Sequence, residues 1–305
     1  MNINELLTLI RCPECSGERL IAGEDNKLHC QNCNATFEVV QGVPVLLAQN
    51  NLNKQEKAQQ VVFRRLYSRF SDSDYKLENW RESMLNRVFN NVRKEQITNY
   101  LDIGCGATGY TVIEAAKRNR WTAVGMDISV EAMVKAKTLA DKMGVGEKTA
   151  FIVGSAENVP LKSAGFNYVS LISVLEHLEN DQTVVHEASR LLAEKGQAYI
   201  CVPNAYSKIW PFLWPFYFYF DKKIGHLRHY SQQSLDSLMT RENLFQRRSL
   251  FYNGHLIKFF QILMEKLGSI RDEAWWRLED RDINTNSSGV QLNAIYQKTD
   301  RLVPQ

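Results

Sequence analysis

The sequence predicts an α/β protein: a seven-stranded, mostly parallel sheet with helices on both faces, preceded by a small cysteine-bound module. Three observations predict it. From Ile97 onward, short apolar runs alternate with amphipathic helical stretches, the pattern of strand–helix–strand units that pair in parallel. The first of those runs ends in a glycine-rich turn, Asn99 to Tyr110 (NYLDIGCGATGY), as a strand feeding a ligand-binding helix start does. Four of the six cysteines form two Cys-x-x-Cys pairs near the N-terminus.

Of the 305 residues, 44% are apolar and 23% charged, the proportions of an ordinary globular protein. The net charge of +3 is mild and weighs against a dedicated nucleic-acid binder. The N-terminus lacks the basic start and cleavage site of a secretory signal. No apolar run approaches the roughly 20 residues that span a bilayer. A cytoplasmic location is therefore expected, where cysteines stay reduced and gather around metals.

Residues 1–48 read as the first unit. A short helix (Asn4 to Ile10) leads into Cys12-Pro13-Glu14-Cys15, and fourteen residues later into Cys30-Gln31-Asn32-Cys33. Strands at Thr36–Val40 and Val43–Leu47 flank a turn at Gln41-Gly42. Two such knuckles can present Cys12, Cys15, Cys30 and Cys33 tetrahedrally to a structural Zn(2+) with no open position. Residues 49–96 read as a linker (Gln49 to Gln60) and helices across Val61–Arg93, whose Phe63, Tyr67, Phe70, Tyr75 and Trp80 pack over the front of the next domain.

Residues 97–305 form the main domain. Its strands fall at Tyr100–Ile103, Ala123–Met126, Ala150–Val153, Tyr168–Ile172, Gln197–Val202, Leu244–Phe251 and Gln291–Gln297, the last two as a hairpin-like pair. Helices start near Thr108, at an N-cap Ser129, near Asp181 and after Ser231, with another at Leu256–Leu267.

Open parallel sheets bind ligands at the carboxyl ends of their strands, and three loops with suitable groups fall there. In the first, Gly104, Gly106 and Gly109 let the backbone approach a ligand closely. Asp102, just before them, would repel a pyrophosphate but hold an ammonium group. S-adenosyl-L-methionine carries such a group. In the second loop, Asp127 ends its strand and can accept both ribose hydroxyls, while Ile128 offers an apolar side chain to an adenine face. In the third, Ser155 and Ala156 meet the adenine edge. A nicotinamide-dependent oxidoreductase also shows G-x-G-x-x-G with an acid about twenty residues on, but lacks the reason for Asp102 and the third loop.

On these residues, the segment from Ile97 to Lys298 resembles the class I S-adenosylmethionine-dependent methyltransferases. The resemblance implies a Rossmann-like fold. It puts Asp102, Gly104 and Gly106 at the methionine part, Asp127 at the ribose and Ser155-Ala156 at the adenine edge. That family often has an acidic residue where Ser155 stands; a serine can still accept the bond. The first 48 residues resemble the small zinc-ribbon proteins that partner and stabilise certain tRNA and protein methyltransferases. That match rests on Leu6-Leu7, the two knuckles and the ending Gly42-Val43-Pro44-Val45-Leu46-Leu47.

Two further segments bear on the acceptor. Glu176-His177 follows the fourth strand of the domain, and His177 is a candidate general base because an unperturbed imidazole titrates near working pH. An equally weighted reading makes it a loop-orienting residue. Ile209 to Phe220, within an insertion near 205–230, is dominated by Trp, Phe and Tyr. It suits an apolar substrate cover or peripheral membrane contact through residues 209–220, against the alternative of a buried core. The stretch Gly225-His226-Leu227-Arg228-His229-Tyr230-Ser231 resembles one seen in methyltransferases acting on glycans, lipids and secondary metabolites. It makes His226, Arg228 and Tyr230 candidates to meet the acceptor; a helix start at Tyr230-Ser231 is the competing role.

The expected function is methyl transfer from S-adenosyl-L-methionine to a small-molecule, glycan or lipid-linked acceptor, at oxygen. RNA methylation with the zinc ribbon touching RNA is an alternative, since the domain order resembles bacterial rRNA guanine methyltransferases. A non-catalytic scaffold is another.

Overall fold

The computed structural model describes residues 1–48, 52–67, 79–90, 92, 96–241, 244–254, 283, 285 and 288–299. The helix expected at Leu256–Leu267 and the aromatic residues Phe70 and Tyr75 lie outside the described residues.

The N-terminal module begins with α1 (Ile3–Leu7), whose cap Asn2 and Glu5 exchange bonds in a capping box. A four-stranded antiparallel sheet follows: β1 (Leu20–Ala22), β2 (Lys27–Cys30), β3 (Thr36–Val40) and β4 (Val43–Pro44). The expected strand at Val43–Leu47 is shorter than the sequence reading. Pro44 cannot donate to a ladder. Beyond it the Val45 amide still donates to the Glu38 carbonyl of β3 at 2.8 Å, but Val45 also bridges Val153 in parallel, and the Leu46 amide donates to the Val153 carbonyl at 2.8 Å.

The polar stretch expected as a linker up to Gln60 is already helical from Lys54, in α2 (Lys54–Tyr67). The reason is another reciprocal cap: the Asn53 amide donates to Glu56 at 2.9 Å and the Glu56 amide to Asn53 Oδ1 at 2.8 Å. Helix α3 (Asn79–Asn90) then leads to the main domain.

There the strands are β5 (Asn99–Ile103), β6 (Thr122–Asp127), β7 (Thr149–Val153), β8 (Phe166–Ile172), β9 (Leu192–Pro203), β10 (Phe245–Asn253) and β11 (Gln291–Lys298), in the order β10-β11-β9-β8-β5-β6-β7. All pairs are parallel except those of β11, which runs antiparallel to both neighbours. The helices are α4 (Tyr110–Asn119), α5 (Val130–Lys142), α6 (Asp181–Leu191), α7 (Trp214–Ile224) and α8 (Gln232–Thr240). Ser129 caps α5 by accepting from the Ala132 amide, and Ser231 caps α8. This is the seven-stranded, mostly parallel Rossmann-like sheet that the alternating pattern predicts. Because β6 and β8 lie on opposite sides of β5, the chain reverses direction across the sheet there, and the crevice at that switch is where such sheets bind ligands.

Side chains alternate across β5. Leu101 and Ile103 enter one apolar core, which also holds Leu6, Ile10, Leu28 and Phe37 of the N-terminal module. Tyr100 enters the other, against Phe89, Trp121 and Tyr168. The module and the sheet therefore share one core. Three main-chain links reinforce this: Arg11 donates to the Pro160 carbonyl, Lys162 to Leu9 and Leu46 to Val153.

Candidate functional site

The glycine turn follows β5 as the sequence predicts. Gly104 has a φ of +79°, and a Cβ there would stand 2.5 Å from Val174 Cγ2, so only glycine fits. Gly106, at φ +65°, faces the Tyr67 hydroxyl of α2. Asp102 lies beneath this turn and not open to it. One oxygen accepts from Ser170 Oγ at 2.6 Å and the other from the Thr111 hydroxyl. β-strand alternation aims Asp102 under α4, where each of its oxygens accepts one hydrogen bond from the protein itself. Burial pushes this carboxyl up to about 7.

Asp127 sits at the carboxyl end of β6, also buried. Its oxygens accept from the Gly106 amide at 3.1 Å and the Ser129 amide at 3.0 Å, which locks the first two loops together. Burial raises it to about 6, against the pull of those amides. Ile128 follows it, partly buried, and its carbonyl accepts from Gln60 of α2.

Ser155 opens the third loop, next to Ala156. Its hydroxyl donates to Glu56 of α2, which is itself buried. The sequence reading missed Glu56. It brings a carboxylate to the position where a serine replaces the usual acid. The only local signal was the Asn53…Glu56 cap. Helix α2 in fact crosses all three loops, through Tyr67, Gln60 and Glu56.

The acceptor-side candidates fall in two groups. His226 lies beside Glu176 and His177: its Nε2 is 3.7 Å from Glu176 Oε1, and its ring centroid is 4.8 Å from that of His177. Arg228 and Tyr230 are instead spent on structure. Arg228 donates to the carbonyls of Leu178 and Glu179 and pairs with Asp181 at 2.8 Å. Tyr230 is buried and donates to Asp181 at 2.8 Å. Both thereby tie down the turn before α6.

The premise that His177 titrates near neutrality does not hold in this environment. Burial lowers it to about 4, assisted by the charge of His226, so it is a neutral imidazole and a weak base. Glu176 is fully buried, and burial pushes it up to about 8. The Ser173 hydroxyl and the residue's own amide favour its ionised form, yet neither oxygen makes a hydrogen bond of ordinary geometry. Behind His226, Asp221 accepts from His226 Nδ1 at 2.8 Å, His229 Nε2 at 2.7 Å and the Tyr206 hydroxyl, and these donors hold it well below the usual carboxylate range.

The aromatic insertion is partly core and partly surface. Ile209, Leu213 and Tyr217 pack with Val290, whereas Phe218 and Tyr219 of α7 are each 71% exposed, with Phe212, Trp214, Phe216 and Phe220 exposed beside them. Among the described residues no helix is long and apolar enough to cross a membrane.

In the N-terminal module, Cys12 Sγ lies 3.7 Å from Cys33 Sγ, and Cys15 Sγ 3.7 Å from Cys30 Sγ. All four sulfurs fall within 4.8 Å of one another. Thiolates about 2.3 Å from one zinc ion stand about 3.8 Å apart at tetrahedral angles. The donor set therefore fits such an ion. The amides of Gly17 and Asn32 point at Cys15 and Cys30 Sγ at 3.4 Å, as in a knuckle.

The sheet order and the three loops at its switch point define a methyltransferase-type Rossmann-like fold. Comparison with known proteins agrees. Residues 101–200 match the family model described as a methyltransferase domain. Norajmaline N-methyltransferase of Rauvolfia serpentina is 36% identical over 95 residues, 31% of this chain and 32% of that protein. Ubiquinone biosynthesis O-methyltransferase of Klebsiella pneumoniae (strain 342) is 30% identical over 111 residues, 36% of this chain and 44% of that protein. The chain thus spans less than half the length of these curated relatives. Among solved structures, geranyl diphosphate C-methyltransferase from Streptomyces coelicolor A3(2), in complex with Mg2+, geranyl diphosphate and S-adenosyl-L-homocysteine, superposes with a TM-score of 0.58 at 12% identity. It covers 82% of this chain and 99% of that one.

Proposed function

We propose that the chain is an S-adenosyl-L-methionine-dependent methyltransferase acting on a small-molecule or lipid-linked acceptor, at oxygen. The observation that carries it is the joining of the three strand-end loops around one crevice. Asp127 links the first two, and Glu56 with Ser155 closes the third. The residues fit the cofactor: the glycine turn, at positive φ at Gly104 and Gly106, and the buried carboxylate of Asp127, which accepts from the Gly106 amide, lie together at the strand ends.

When bound, S-adenosyl-L-methionine supplies an electrophilic methyl group on a sulfonium. Asp127 is the ribose acceptor and Glu56, with Ser155, the acceptor for the adenine amino group. Asp102 adds negative charge beneath the methionine part without touching it. Tyr67 and Phe63 of α2 cover the crevice and exclude water. His177, against Phe63 at 5.4 Å between ring centroids, orients the acceptor side; its low basicity favours that role over proton abstraction. Positioning supplies most of the acceleration in such in-line transfers.

Zn(2+) at Cys12, Cys15, Cys30 and Cys33 is the structural metal of this reading, and the protein works in the cytoplasm. The exposed aromatic face of α7, bordered by exposed Lys222 and Lys223, makes peripheral contact with an anionic lipid surface. It brings a lipid-linked acceptor to the crevice. The test is incubation of cell extract with enzyme and methyl-labelled cofactor, followed by mass spectrometry. Label should enter a small or lipid-soluble product with wild-type protein and not with the Asp127→Ala variant. Label confined to RNA would favour nucleic-acid methylation, and no label in any fraction would favour a scaffold.

A further inference from the structure

Glu176 presents a chemical problem that the methyltransferase reading leaves unsolved. Its carboxyl group is fully buried at the carboxyl end of β8, and neither oxygen makes a hydrogen bond of ordinary geometry. Buried carboxylates without hydrogen bonds are costly and are found paired or bound to metals. The group facing it, His226, is held from behind: Asp221 is an acceptor only, so His226 Nδ1 donates to it at 2.8 Å. The other ring nitrogen, Nε2, faces Glu176 Oε1 at 3.7 Å, beyond hydrogen-bond length.

A third ligand-type atom joins them. His177 Nδ1 is buried and has no partner, and ligand atoms of Glu176, His177 and His226 all lie within 4.8 Å of one another. His229 differs from these: both of its ring nitrogens already have partners, the Asn204 carbonyl 2.7 Å from Nδ1 and Asp221 2.7 Å from Nε2. The neighbouring Asp221, His226 and His229 group is therefore a hydrogen-bonded scaffold, and Glu176, His177 and the outer nitrogen of His226 are the ligand set.

We propose that Glu176, His177 and His226 bind a divalent transition-metal ion, with Asp221 orienting His226 from behind. Ligand atoms about 2.0–2.2 Å from one metal stand about 3.0–3.5 Å apart, close to the separation of Glu176 and His226. Two imidazoles and one carboxylate select zinc, manganese, iron(II) or cobalt over magnesium and calcium, which take oxygen donors. A carboxylate on the outer nitrogen of a ligating histidine, as Asp221 is here, fixes the ring and raises its basicity. Three protein ligands leave open positions. Val174, two residues before Glu176, packs on Gly104 of the glycine turn, so the ion lies beside the cofactor crevice. Its role as the anchor for an acceptor oxygen rests on the methyltransferase reading; the site itself does not.

The test uses the full chain, purified with zinc in the cysteine module, dialysed against metal-free buffer and titrated with Co2+ alone. The expected result is one further equivalent of cobalt with weak visible bands and no thiolate charge-transfer absorption. That signal should vanish in Glu176→Gln and His226→Ala, while Asp221→Asn weakens binding by about 10–100-fold. Glu176→Gln preserves shape and decides the matter if His226→Ala fails to fold by circular dichroism. A spectrum of thiolate-bound cobalt alone, or bands that survive in both variants, would overturn the proposal and leave a shared proton between His226 and Glu176. Because no methyl donor or acceptor is present, either result stands apart from the success or failure of the methyltransferase reading.

Discussion

Replacing Arg11 with alanine is expected to weaken cofactor binding, although Arg11 belongs to the cysteine module and not to the crevice. Its guanidinium donates to the Val159 carbonyl at 3.2 Å and the Asn158 side chain at 3.5 Å, and pairs with Glu187 at 3.2 Å. Asn158 in turn donates to the Pro13 carbonyl at 2.8 Å. These bonds hold the far end of the loop that begins at Ser155. The Arg11 and Glu187 side chains are only 14% and 13% exposed, so solvent screening is small. A hydrogen bond to a charged group contributes about 1.5–3 kcal/mol. The loss falls toward the lower end, because Glu187 keeps Arg190 and the Val159 amide and is not left unpaired. At about 2–4 °C per kcal/mol, melting should drop by about 3–8 °C. If about half of that energy orders the loop, Kd rises roughly 3–5-fold, given tenfold per 1.4 kcal/mol. Calorimetric titration with S-adenosyl-L-homocysteine and thermal unfolding by circular dichroism measure the two effects. A lower melting temperature with unchanged Kd would refute the coupling and reduce the module to a stabiliser.

Three other outcomes are expected. Asp127→Ala should raise the cofactor Kd at least about 100-fold, the equivalent of two charge-assisted bonds, in a protein whose circular dichroism is unchanged; wild-type affinity would remove Asp127 from the ribose. Glu56→Gln should weaken binding about tenfold and reduce discrimination against an inosine analogue of the cofactor, since the carboxylate is the acceptor for the adenine amino group. Equal loss for both nucleosides would place the contact elsewhere. Cofactor affinity should rise from about pH 5 to about pH 8 as Asp102 and Asp127, raised to about 7 and about 6, ionise toward a cationic ligand. Folding stability should fall over the same range: a raised carboxyl pKa means that the native state holds protons the unfolded chain releases, so the advantage fades as pH climbs through the folded value. Affinity that is flat across this range would contradict these assignments.

The central strands of the main domain, β5 to β8, were legible because they are short runs of mainly apolar residues, and Ser129 and Ser231 cap helices as their spacing implies. The small strands β1 and β2 were not, since Leu20–Ala22 and Lys27–Cys30 are only three and four residues long, too short for an alternating pattern, and form around the knuckles. The glycine turn was legible from local chemistry. The direction of Asp102 was not, although Tyr100 shares its face and already pointed inward. Glu56 lies far from Ser155 in sequence, and no periodicity links a capping residue to a loop across the crevice. Glu176-His177 and His226 were each visible as candidates. Their meeting depends on the backbone bond from the Leu227 amide to the Glu176 carbonyl at 2.7 Å, which no local pattern carries. Arg228 and Tyr230 look like substrate residues in sequence for the same reason: Asp181, which satisfies them both, is distant along the chain.

The central claim is that the crevice formed by the three loops and covered by α2 holds S-adenosyl-L-methionine. Isothermal titration of the full chain with that compound tests it most directly. Saturable binding of one equivalent, competed by S-adenosyl-L-homocysteine and lost in Asp127→Ala, is the expected result. No heat of binding at millimolar ligand, from protein shown to be folded, would contradict it.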